Sequence, residues 1–189
     1  TRMQRAITCV ASCRVPVIAA IHGWCIGGGV DLATACDVRV CSADAKFSVR
    51  EVKLAMVADV GTLARLPAII GEGATRELAF TGDDIDAARA LRLGLVNDVL
   101  ETPDALLVHA RAMATRIAAN PPLVVRGVSV AVKLISSSRR SKTVCRRRAP
   151  IFSTLPLISV ASSAMASMPS GVKSSSTSSV FKSALYCFT

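Results

Sequence analysis

The side chains best suited to chemistry are three acids, Asp31, Glu51 and Asp59, set around a run of glycine at Gly27, Gly28 and Gly29 in IHGWCIGGGVD, residues 21–31. Glycine admits backbone angles closed to other residues and lets a second group approach the main chain closely. A helix starting there presents amides that lack intrahelical partners at the positive end of its dipole, so these glycines are candidate donors to a developing negative oxygen. The structural alternative is a tight strand-to-helix turn. The spacing is neither GxGxxG nor that of a nucleotide P-loop, so neither phosphate cradle follows from it.

Asp31 opens the helix after the glycines, while Glu51 and Asp59 flank the apolar loop VKLAMVA, residues 52–58. Carboxyls in an apolar cleft can divide acid and base roles, because burial raises a carboxyl pKa and a neighbouring negative charge raises it further. Each acid also has a purely structural reading. Asp31 would complement the helix dipole, Glu51 would pair in solvent with Arg50 or Lys53, and Asp59 would cap a helix starting near Thr62. His22 ends an apolar strand with no serine or cysteine arrangement suggestive of a triad. The 7 cysteines form no CxxC pair. With only His22 and His109 beside them, they predict reduced, mostly buried thiols and no metal site.

The elements that must position these residues follow from periodicity. A helix over residues 2–12 stops at the Arg14-Val15-Pro16 break. Val17–Ile21 reads as a buried strand running on into the glycines. A helix covers 30–36, strands cover 37–41 and 45–49 with a turn at 42–44, and residues 50–61 read as a loop. Further helices are predicted from Thr62, at 72–80, at 84–92 and at 103–119, with a strand over 95–100. Strands alternating with helices define an α/β layered fold, and the length suits one core.

Charge divides the chain. All 13 acids lie between Asp31 and Asp104, where residues 1–104 carry 11 Lys or Arg and a net −2; residues 105–189 carry 12 Lys or Arg, no acid, and a net +12. Residues 136–189 hold 16 serines and the basic clusters SSSRRSK and CRRR. They show no helical or strand period and are expected to be disordered. The Arg140–Arg148 cluster could attract polyanions, but without interleaved aromatics it reads as a solvated run and not a nucleic-acid site. The uncharged stretch 149–172 is long enough for a bilayer, yet its serines and prolines argue against membrane insertion.

The run PVIAAIHGWCIGGGVDLATACDVRVCSADAKFSVREVKLAMVADVGTLARLPAIIG resembles the central block of the enoyl-CoA hydratase/isomerase (crotonase) superfamily, and within it the delta(3,5)-delta(2,4)-dienoyl-CoA isomerases. The resemblance covers residues 1–134 and implies a ClpP/crotonase-like spiral ββα core. It makes Gly28 an oxyanion-hole amide for the carbonyl of an acyl-CoA thioester, with Gly27 and Gly29 in the adjoining loop. It further makes Asp59 the base at C2, Glu51 the acid serving C6, and Asp31 a third acid lining the pocket. A hydratase-like member is expected to carry glutamates at positions 31 and 51 and glycine at 59, so the acid at 59 favours double-bond isomerisation. Hydration, or an inactive crotonase-like module serving binding or assembly, are the alternatives.

No cofactor is implied beyond the coenzyme A of the substrate. A homotrimer or hexamer and a mitochondrial or peroxisomal address are implied for a full-length form, although no targeting signal is visible. Two departures accompany the resemblance. The chain is expected to be truncated before the strands whose loop donates the second oxyanion amide, and the tail from residue 135 has the composition that a shifted reading frame produces.

Overall fold

The computed structural model describes residues 2–145 and 184–187, with side chains placed through residue 136. Residues 136–145, expected to begin a disordered tail, instead continue a helix, and residues 184–187 form a strand; the rest of the serine-rich tail, including the arginines of CRRR, lies outside the described residues.

Helix α1 (Arg2–Ala11) leads through the Pro16 break into β1 (Val17–Ile21), all five residues of which are buried. Gly23, at φ 61°, turns the chain out of that strand, and a short strand β2 (Trp24–Ile26) delivers it to the glycines and α2 (Gly28–Ala35). The apolar run at the start thus does not enter the glycines as one strand, as the sequence suggested. A two-residue turn divides it, and the two pieces belong to different sheets.

The next unit repeats this plan. Strand β3 (Val38–Ser42) turns at residues 43–45 into β4 (Lys46–Ser48), and a 3-10 turn (Glu51–Leu54) follows where only loop was expected. Then come α3 (Thr62–Ile70), α4 (Glu72–Thr81), β5 (Ile85–Asp86), α5 (Ala87–Arg92), β6 (Asp98–Leu100), α6 (Pro103–Ala118), α7 (Pro122–Cys145) and β7 (Ala184–Cys187). One sheet has the order β6-β3-β1-β7, the other β2-β4-β5. Strands β1 and β3 pair in parallel, Ile18 opposite Val38, and so do β2 and β4, Trp24 opposite Lys46. Each first strand of a pair therefore joins the larger sheet and each second strand the smaller one, giving the chain a spiral course.

Alternation along β1 sends Val17, Ala19 and Ile21 to one core with α2, α3 and α4, and Ile18 and Ala20 to another with α6. In the first, Leu66 is fully buried; removing such a side chain from water contributes roughly 1.5–3 kcal/mol. The second is built on Leu106, Ala110 and Ala114, spaced to fall on one face of α6. Asp37 fastens the corner between α2 and β3: its Oδ2 accepts from the Val17 amide at 2.9 Å and its Oδ1 faces Lys133 Nζ of α7 at 3.2 Å. Lys133 also donates to the Cys13 carbonyl at 2.9 Å, so one ammonium ties α7 to two loops. No single helix among the described residues is long and apolar enough to cross a membrane.

Candidate active site

Parallel pairing of β2 and β4 places the segment bearing Glu51 beside the glycines. The Gly27 amide donates to Ser48 O at 3.0 Å, extending the ladder by one bond. Three residues beyond Ser48 comes Glu51, whose Oε1 lies 3.2 Å from where a Cβ on Gly27 would stand. Gly27 itself sits at φ 52°, so both its backbone angle and the approach of Glu51 require glycine there. At Gly28, by contrast, an added Cβ meets nothing within 4 Å. Space is therefore open beside the start of α2, whose first-turn amides lack intrahelical partners at the helix's positive end, a setting suited to an oxyanion. Gly29 packs its Cα side on Cys25 Sγ.

Glu51 is only partly exposed, and its Oε2 is buried without a hydrogen-bond partner. Burial raises its pKa, a bond to its own backbone amide opposes this, and the charges of Asp31 and Asp59 raise it further. Asp31 and Asp59, the other two acids picked out in the sequence, are therefore both within electrostatic reach of Glu51. Asp59, on the stretch between the 3-10 turn and α3, is the exposed member, and Gln4 Nε2 donates to its carbonyl at 3.2 Å.

Asp31 is the buried member, at 1% exposure. Its Oδ1 accepts from the Thr62 amide at 2.7 Å and from the Thr62 hydroxyl at 2.6 Å. The capping of α3 that the sequence assigned structurally to Asp59 is performed by Asp31, from 31 residues away. Nor does Glu51 pair with Arg50 or Lys53: Arg50 forms a fork with Asp84, and Lys53 reaches Asp83 at 3.3 Å. Ser48 Oγ also donates to Gly82 O at 3.0 Å and to Asp83 O at 3.2 Å. The strand end carrying Glu51 is thus braced against the loop after α4.

Thr62 is the residue that sequence reasoning missed. Its signal is faint: a threonine opening one helix and an acid in the first turn of another. Trp24, which precedes the glycines on β2, is 44% exposed and has Lys46 Nζ 5.3 Å and Arg50 Cζ 5.4 Å from its ring centre. Cys25 and Cys41 are buried thiols, each pushed up to about 12 chiefly by burial. No group of His, Cys, Asp or Glu among the described residues could hold a metal ion. A cavity of about 220 Å³ opens between Ile18, Ile117, Pro122 and Val125 on the α6 side of the larger sheet, and none of the candidate acids lines it.

The sequence model of the enoyl-CoA hydratase/isomerase family matches residues 1–163, and the chain belongs to that family. Its fold is crotonase-like. A solved enoyl-CoA hydratase/isomerase family protein from Hyphomonas neptunium superimposes with a TM-score of 0.69 at 40% identity, over 72% of this chain and 52% of that one. Among curated relatives, the mitochondrial delta(3,5)-delta(2,4)-dienoyl-CoA isomerase of Dictyostelium discoideum is 54% identical over 129 residues, which is 68% of this chain and 44% of the relative. The peroxisomal delta(3,5)-delta(2,4)-dienoyl-CoA isomerase of Arabidopsis thaliana is 53% identical over 125 residues, 66% of this chain and 45% of the relative. The chain spans less than half the length of these relatives.

Proposed function

We propose that this chain carries the proton-transfer apparatus of a 3,5-dienoyl-CoA to 2,4-dienoyl-CoA isomerase. The observation that carries the reading is the half-buried carboxyl of Glu51 at the triglycine bend, its Oε2 buried without a hydrogen-bond partner, with Asp31 and Asp59 raising its hold on a proton. The names and identities of the relatives support the same substrate class.

In this reading the Gly28 amide donates to the thioester oxygen, which draws electron density from C2 and acidifies its proton. Asp59 removes that proton, and the electron pair spreads over the thioester and the adjoining diene. A protonated Glu51 then delivers a proton to C6, so the double bonds move from 3,5 to 2,4 with one proton lost and one gained. The acid's raised pKa favours the protonated form needed for that delivery. An exposed base beside a half-buried acid is the division of labour that unequal environments produce. The coenzyme A thioester is the partner, with no further cofactor in the scheme. Assembly as a trimer or hexamer and a mitochondrial or peroxisomal address belong to the same proposal; the address is supported by the relatives' names.

The test is turnover of 3,5-dienoyl-CoA, followed by the absorbance of the conjugated 2,4-product. Asp59→Asn is expected to lower kcat by roughly 10²–10⁴-fold. Hydration of a 2-enoyl-CoA that survives Asp59→Asn but fails in Glu51→Gln would show a hydratase instead. Thioester left intact by the unaltered chain would show a non-catalytic module.

A further inference from the structure

We infer that Thr62 is a positioning residue of this site: its amide and hydroxyl together hold Asp31 as a fixed buried carboxylate behind Glu51. The inference deepens the reading of Glu51 as the proton-delivering acid and rests on it.

Two donors from one residue converge on one oxygen, at 2.7 and 2.6 Å, and Thr62 is fully buried. Asp31 lies in the first turn of α2 while Thr62 opens α3, so the carboxylate stands at the N-termini of two helices. Both helices turn their positive ends toward it. The Asp31 amide in turn donates to Gly27 O at 3.0 Å, and Gly27 is the residue over which Glu51 lies. Thr62, Asp31, Gly27 and Glu51 are therefore linked in series. An anion buried and pinned in this way acts on Glu51 with little solvent screening.

Most other charged groups on the surrounding elements are paired elsewhere. On its own segment, Arg50 and Lys53 turn to Asp84 and Asp83. On α4, Arg76 pairs with Glu72, and Glu77 with Arg89 of α5. On α3, Arg65 crosses Gly61. From β4, Lys46 lies over Trp24. Asp59 alone joins Asp31 in raising Glu51.

The experiment follows the Glu51 carboxyl by NMR titration of carbon-13-labelled full chain, in the unaltered protein, Thr62→Val, Thr62→Ser and Asp31→Asn. Thr62→Val removes the hydroxyl at nearly constant volume, and the Glu51 midpoint is expected to move to lower pH. Thr62→Ser keeps the donor and keeps the midpoint. Asp31→Asn gives the same downward move, and adding Thr62→Val to it moves the midpoint no further. An unchanged midpoint in Thr62→Val, or shifts that add in the double variant, would overturn the inference. If Thr62→Val loses its fold, Thr62→Cys, a weak donor of similar size, takes its place under the same criteria. Turnover is read in parallel, with kcat expected to fall about tenfold in Thr62→Val at little change in KM. Absence of turnover in the unaltered chain would defeat the isomerase reading alone, because the titration reads the Thr62–Asp31–Glu51 linkage without substrate.

Discussion

Glu51 is a carboxyl that the fold makes reluctant to ionise. Its folded pKa is raised, by burial first and by Asp31 and Asp59 after it. The favourable contribution of its protonated form is therefore full at low pH, below the ordinary carboxylate range, and is lost as pH rises through the raised value. Glu51→Gln keeps the shape and cannot ionise. Thermal melts from pH 4 to 8 should show that variant gaining Tm relative to the unaltered chain as pH rises, while turnover drops by roughly 10²-fold or more. A variant steadier yet slower is the mark of a site held at the expense of stability. At this scale the sequence singled out three acids that the fold gathers around Glu51, and was uninformative about their neighbours. Asp31 takes over the capping expected of Asp59 because capping is set by which acid reaches Thr62 in space, and the 31-residue separation hides that contact.

The glycine bend shows what single elements contribute. Gly27→Ala places a side chain at φ 52° and 3.2 Å from Glu51 Oε1, and should cost about 1–3 kcal/mol in chemical denaturation. Gly28→Ala meets open space and gains helix propensity, so stability should hold within roughly 1 kcal/mol. Turnover should nevertheless fall, because the added methyl stands where a thioester would approach. Measuring both variants separates a bend kept for its shape from one kept for its ligand. Most elements could be read from their periods, α4 and β1 almost residue for residue. Strand β2 could not: three residues are too few for a period, and only the left-handed Gly23 marks the break before it. The 3-10 turn after Arg50 escaped for the same reason. The short pieces that aim Glu51 were thus the least legible.

For the molecule as a whole, stability rests on the core between β1 and the helices α2 to α4. Leu66→Ala should lower unfolding free energy by about 2–5 kcal/mol, read by urea titration. Site-resolved alkylation should modify exposed Cys9 at once, and Cys25 and Cys41 only as the fold opens, since burial holds those thiols near 12. The layered α/β class was legible from alternating strands and helices. The division into two sheets was not, because nothing local says that consecutive strands part company.

The brace from Ser48 and Arg50 to Gly82, Asp83 and Asp84 spans about 34 residues of sequence. A nascent polypeptide emerging from the ribosome has made its glycines and all three acids by residue 59, yet Glu51 gains its support only after α4 has been synthesised. Assembly of the site must therefore trail the formation of the first β-α-β unit, and refolding should show early helical signal followed by late protection of amides around Glu51.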